Sequence, residues 1–125
     1  MIFDGNAISI SKLDNGIAEL VIELKEESVN KFDTKTITQL SEALDALEKE
    51  EGIKGLVMTS GKPVFVVGAD ITEFTDMFTR PEAEVAGYLG KANETFNRIE
   101  DAPYPTVVAI NGYALGGGFE VAMAF

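Results

Sequence analysis

The apolar residues of this chain keep two different rhythms, and the order of those rhythms restricts the fold more than any other feature. From Ile8 to Ser11 apolar and polar residues alternate, and after a turn at Asp14-Asn15-Gly16 the run from Ile17 to Leu24 reads as a second strand. That pattern predicts an antiparallel hairpin, with Gly16 suited to the positive φ of the turn. Lys25 to Lys31 is polar and loop-like. Ile37, Leu40, Leu44 and Leu47 then fall on one helical face, behind Asp33 as N-cap and ahead of Gly52 as stop.

The rhythms go on switching. Gly55–Thr59 is a short apolar run of the kind buried in a parallel sheet. Pro63 to Asp70 reads as a loop or short strand, and Ile71 to Phe78 as a short helix. Pro81 suits the first turn of a longer helix with Val85, Leu89, Ala92, Phe96 and Ile99 on one face through Glu100. Asp101-Ala102-Pro103-Tyr104-Pro105 is a rigid connector, Thr106 to Ile110 a buried strand, and Asn111-Gly112 a turn. Gly116-Gly117-Gly118 opens a helix from Phe119 onward. A hairpin followed by helix–strand–helix–strand–helix is an α/β layer with right-handed crossovers.

The length of 125 residues matches one domain, yet the last helix runs out uncapped and apolar at Val121-Ala122-Met123-Ala124-Phe125. Domains rarely stop inside a helix that needs covering, so the sequence reads as part of a larger unit. There are no internal repeats or low-complexity tracts.

Composition narrows the chemistry. The chain has no His and no Cys, which excludes a Ser-His-Asp triad, a Cys nucleophile, disulfides and an ordinary zinc site. Acid–base work at neutral pH then falls mainly to carboxylates. A net charge of -11 argues against nucleic acid and anionic membrane surfaces as partners. The uncharged stretch Ala102–Phe119 carries two prolines and four glycines, so it is not a spanning helix. Without a basic, apolar leader at Met1–Asn6, the expectation is a soluble, cytoplasmic protein.

Familiar nucleotide motifs fail. Gly55 and Gly61-Lys62 miss the Walker A spacing, and Pro63 stands where Ser or Thr is needed. Gly116–Gly118 lacks the dinucleotide spacing, and no calcium loop is present. The glycine run still suits an oxyanion, because bare backbone N–H groups at a helix start can approach a ligand closely. Glu120 just inside that helix is electrostatically favoured there. The plainer alternative is tight helix–strand packing with Glu120 as a first-turn charge. Val66-Val67-Gly68-Ala69-Asp70-Ile71 has a similar character, with Asp70 as a simple N-cap for its plainer alternative.

Together the two loops resemble those of the crotonase (enoyl-CoA hydratase/isomerase) superfamily. Phe65-Val66-Val67-Gly68-Ala69-Asp70-Ile71-Thr72-Glu73 resembles its F-x-x-G-A-D-I-x-E loop. Pro105 to Glu120 resembles its P-x-x-A-x-N-G-x-A-x-G-G-G-x-E signature. Ser28-Val29-Asn30-Lys31-Phe32-Asp33 and the Phe65–Phe74 loop are similar to the multifunctional bacterial fatty-acid oxidation branch. The resemblance implies a ββα spiral, of which this chain is the N-terminal portion. It implies syn hydration of a trans-2-enoyl-CoA, with the Ala69 and Gly117 N–H groups as oxyanion hole and Glu120 as one of two catalytic glutamates. Ser28, Val29, Asn30, Gly68, Asp70, Ile71 and Gly116 would line the ligand.

The second glutamate would follow Phe125, so the 125-residue piece alone is expected to show little turnover. The resemblance implies no metal and no cofactor in this piece. It also implies an NAD-dependent 3-hydroxyacyl-CoA dehydrogenase part elsewhere, and a hetero-oligomer with a thiolase subunit. Two alternatives stay open: a stand-alone hydratase or Δ3-Δ2-enoyl-CoA isomerase, and a non-catalytic acyl-CoA-binding module. Lys31 is either a contact to CoA phosphates or a surface charge. Tyr113 either meets substrate or packs. Glu73 either supports the site or decorates a solvated helix face.

Overall fold

A computed structural model describes residues 1–125. The hairpin is present as β2 (Ile8–Lys12) and β3 (Ile17–Ile22), paired antiparallel with Ile10 opposite Leu20. A short strand that the sequence reading missed, β1 (Phe3–Asp4), adds to its outer edge. Helix α1 (Thr34–Glu48) carries the chain across to β4 (Gly55–Ser60), which pairs parallel to β3. Then α2 (Thr72–Met77) and α3 (Glu82–Glu100) lead to β5 (Thr106–Val108), parallel to β4, and α4 (Gly117–Met123) follows. The sheet order is β1-β2-β3-β4-β5, antiparallel at one end and parallel at the other. The α/β class expected from the rhythms is the one observed.

One face of the sheet builds the core. Ile8, Ile10, Ala18, Leu20, Ile22, Leu56 and Met58 are buried on it, against Ile37, Leu40, Ala43, Leu44 and Leu47 of α1. Helix α3 lies beside α1 through buried Ile99 and through Arg98, whose guanidinium meets Asp45 at 2.8 Å and Glu48 at 2.9 Å. The parallel half is not buried on both faces as its apolar run suggests. Val107 is 60% exposed and Ile110 49% exposed, because the helices cover a single face. Leu89 also falls off the expected buried stripe of α3; Tyr88, Thr95 and Phe96 take the inner positions.

Several ends shift for identifiable reasons. Strand β3 stops at Ile22 rather than Leu24, since the Leu24 N–H donates to the Asn30 side chain. Helix α1 ends at Glu48, and Gly52, at φ 75°, turns the chain that follows. Pro63–Asp70 forms no strand and makes single bridges instead, Val66 to Ala114 and Phe32 to Ala69. Helix α4 begins at Gly117, two residues before the expected Phe119.

The N-cap of α1 is as expected. Asp33 Oδ1 accepts from the Thr36 N–H at 2.8 Å and from its hydroxyl at 2.6 Å. Replacing Asp33 with Ala is expected to cost about 1 kcal/mol in chemical denaturation, the usual worth of such a cap. An unchanged midpoint would show that the cap is redundant.

Candidate oxyanion site

Two glycine-bearing loops meet at the C-terminal end of the parallel strands. Val66 donates its N–H to Tyr113 and accepts from Leu115, which lays the Val66–Gly68 segment along Ala114–Gly116. The contact is close enough to demand glycine. Gly68 sits at φ 110°, and a side chain there would come within 3.1 Å of the Leu115 carbonyl oxygen. At Gly118 a side chain would fall 2.7 Å from the Val66 Cβ. The triple glycine therefore serves packing at Gly118 and leaves an open approach at Gly117.

At Gly117 a side chain would point at the Ala69 nitrogen, 3.9 Å away, and at Phe32, 3.7 Å away. The two backbone segments named from the sequence thus lie side by side. Neither the Ala69 nor the Gly117 N–H donates to any acceptor in the chain. Ala69 is exposed, and Gly117 partly so. Two unspent donors on neighbouring backbones can hold an oxygen that is gaining negative charge.

Glu120 stands one turn on from Gly117 in α4. Its carboxylate has no hydrogen-bond donor and no cation partner in the chain, and it opens onto a cleft lined by Asn93, Phe96, Asn97 and Glu100 of α3. Phe96 meets Phe32 edge-to-face, with ring centroids 5.9 Å apart. That pair closes one side of the site, and neither ring was singled out from sequence. Only their positions on a helix face and beside a loop signalled them.

The remaining expected ligand residues divide. Ser28, Ile71 and Gly116 are exposed, Val29 and Asp70 are half-buried, and Gly68 is buried beneath its neighbours. Asn30 differs from the exposed ligand-lining residue expected: it is 0% exposed, and its side-chain bonds are spent inside the fold. Oδ1 accepts from the Leu24 N–H at 3.0 Å. Nδ2 reaches the Ile22 carbonyl at 3.1 Å, the Phe65 carbonyl at 3.0 Å and the Ser60 hydroxyl at 2.9 Å. Asn30 joins β3, β4 and the Phe65 loop. Its own carbonyl accepts from the Val67 N–H, so it aligns the loop that carries Ala69. Tyr113 is 68% exposed and does not pack.

Lys31 is paired within the chain rather than a free surface charge. Its ammonium lies 3.5 Å from Asp70 and 3.6 Å from Glu27. Partial burial works to lower its pKa, but Asp70 and Glu27 outweigh that and hold it above the ordinary lysine value. Asp70 accepts from the Thr72 hydroxyl and N–H, and these two bonds, followed by Lys31, hold its carboxyl below the ordinary aspartate value.

The pH sign follows from those directions. A lowered folded-state pKa stabilises above the unfolded value, and that stabilisation is lost as acid protonates Asp70. A raised one on Lys31 is lost only as alkali removes its proton. In a carbon-detected NMR titration, Asp70 is expected to show a midpoint below 3.8. Lys31→Met should raise that midpoint only part of the way, because the Thr72 bonds remain. A midpoint at or above the ordinary value in the unsubstituted protein would contradict this arrangement.

Comparison with known proteins agrees with the geometry. Residues 12–125 match the family model described as enoyl-CoA hydratase/isomerase. The chain is 55% identical to a fatty acid oxidation complex subunit alpha of Pseudomonas syringae pv. tomato, and 54% identical to one of Pseudomonas putida. Each match covers 99% of this chain and 17% of the relative, so the chain spans about a sixth of their length. An enoyl-CoA hydratase structure from Bacillus anthracis aligns at 26% identity and TM-score 0.79, over 96% of this chain and 45% of that one. Another, from Shewanella pealeana, shares the fold at TM-score 0.83 and 20% identity, over 91% of this chain and 42% of that one.

Proposed function

Given that this chain belongs to the enoyl-CoA hydratase/isomerase family, we propose that it supplies the oxyanion half of an enoyl-CoA hydratase site. The parent would be a multifunctional fatty-acid oxidation protein. The observation that carries the reading is the pair of unspent N–H groups at Ala69 and Gly117, on backbones that lie side by side, with the unpaired Glu120 carboxylate one turn further along α4.

The chemistry follows from what these groups can do. The thioester carbonyl oxygen of a trans-2-enoyl-CoA accepts from both N–H groups. Water adds its oxygen to the β-carbon while the double-bond electrons move toward the carbonyl, giving a thioester enolate. Each donor contributes about 3 kcal/mol to holding that charge. Glu120, with a second carboxylate that the family pattern places after Phe125, holds the water and takes part in moving its protons. The α-carbon then receives a proton, and the product is a 3-hydroxyacyl-CoA. No His or Cys is required at any step.

NAD would serve only the dehydrogenase part of such a parent, and a thiolase subunit would be its partner. No helix is long and apolar enough to cross a membrane.

The test is steady-state hydration of a short enoyl-CoA by the polypeptide expressed from its complete gene. Loss of the enoyl absorbance with formation of the 3-hydroxyacyl thioester is expected. Tight acyl-CoA binding without turnover would replace the enzyme reading with a binding module.

A further inference from the structure

Helix α2 buries none of its residues, although it follows Ala69 within three positions. Ile71 is 75% exposed, and Phe74 and Phe78 are also exposed. Packing therefore does not hold this helix, and a short helix without packing is marginal in water. Its polar ties to the body of the chain are two. Asp70 pairs with Lys31. Glu73 makes the stronger tie: Oε1 accepts from the Thr34 N–H at 3.0 Å, and Oε2 from the Thr34 hydroxyl at 2.9 Å.

These ties extend a lacing that starts in the backbone. Asn30 O accepts from the Val67 N–H, and the Phe32 N–H donates to Gly68 at 2.8 Å. Segment 30–34 thus runs beside segment 67–73, with Ala69 between the backbone bonds on one side and the Asp70 and Glu73 anchors on the other. The Ala69 N–H shares its peptide plane with the Gly68 carbonyl, so the Phe32 bond holds one edge of that plane, and the Asp70 and Glu73 anchors hold the chain that leaves it. Thr34 is the first residue of α1, whose apolar face is locked into the core, so it is a firm point of attachment.

We propose that Glu73 is a positioning residue for the oxyanion hole: its two bonds to Thr34 fix the chain after Ala69 and so aim the Ala69 N–H at the thioester oxygen. The inference rests on the enoyl-thioester reading of the site. Glu73 does not touch the substrate. It acts through Ala69, as a geometric constraint rather than as a charge.

That distinction makes it testable by substitution in the polypeptide from the complete gene. Glu73→Ala should lower kcat by about ten- to a hundredfold with little change in KM, in keeping with the cost of slight misplacement. In infrared difference spectra, the carbonyl band of a bound carbonyl-13C enoyl-CoA should move back toward its free value. Glu73→Gln should stay near the unsubstituted protein. Its amide oxygen can accept from the Thr34 N–H, and its NH2 can donate to the Thr34 hydroxyl. Thr34→Val removes one of the two bonds and leaves the Asp33 cap, so it should fall between.

A folded Glu73→Ala protein with unchanged kcat and carbonyl band overturns the proposal, as does a Gln variant as impaired as the Ala variant. If Glu73→Ala does not fold, Thr34→Val decides: a shifted band supports the anchor and an unshifted one overturns it. An unsubstituted polypeptide that binds and polarises the thioester yet hydrates nothing fails the hydratase reading alone, and the carbonyl band still tests Glu73.

Discussion

Replacing Glu120 with alanine is expected to lower the hydration rate of the polypeptide from the complete gene by about two to four orders of magnitude, the range for loss of a general acid–base group. The carboxylate has no internal partner, so its removal breaks no hydrogen bond and no ion pair in the fold. Helix α4 should keep its place, because buried Val121 and Ala122 and the close contact of Gly118 with Val66 hold it. The loss should therefore appear in kcat, with acyl-CoA affinity and thermal midpoint little changed. Glu120→Gln sharpens the result. The amide keeps the size of the side chain but cannot accept a proton, so it should be nearly as slow. A loss below about tenfold would place Glu120 outside the proton transfer, and would favour a module that binds acyl-CoA without converting it.

The largest effect on stability is expected at Asn30. Its amide is wholly buried and lies within hydrogen-bond reach of four groups from three separate parts of the chain, its two N–H protons shared among three acceptors. Alanine leaves the Leu24 N–H and the Ile22 and Phe65 carbonyls without that partner. Each buried orphan costs about 1–3 kcal/mol, so a total on the order of 3 kcal/mol or more is expected in denaturant unfolding. Against a typical total of about 5–15 kcal/mol, that is a severe loss. Asn30→Asp is the more discriminating variant. It is the same size, but a carboxylate has no N–H to give the Ile22 and Phe65 carbonyls, and an unpaired buried charge is costly. A destabilisation by Asp of under about 1 kcal/mol would show that the donors of Asn30 contribute little.

How far the sequence foretold these roles depends on the kind of information each needs. The strands and helices were visible because burial on one face imposes a period, and the period survives in a single sequence. The N-cap Asp33 was visible because the N–H that donates to it lies three residues away, at Thr36. The glycines of the two loops were visible as types, and their place in the family pattern marked Ala69, Gly117 and Glu120. The hydrogen-bonding role of Asn30 was not legible, because its partners lie up to 35 residues away, at Phe65. Glu73 looked like solvated helix surface, since its partner Thr34 lies 39 residues back. The pairing of Phe32 with Phe96 is of the same kind.

The exposed face of β5 makes the same point from the opposite direction. Thr106–Ile110 has the apolar run of a strand covered on both sides, and its composition permits that. Whether a second layer lies on it is decided by what packs there, and in these 125 residues the helices occupy one face only.

By itself, then, the sequence determined the α/β class, the succession of its elements from the hairpin onward, and a chemistry that falls mainly to carboxylates and backbone N–H groups. Those follow from local periodicity and from which residue types are present. Tertiary structure alone decided that Gly117 lies against Ala69, that Gly118 is the packing glycine, and that Asn30 and Glu73 tie distant segments together beside that loop. The physical reason is that a hydrogen bond or a close contact between distant segments depends on how the sheet brings them together, and no local pattern records that distance.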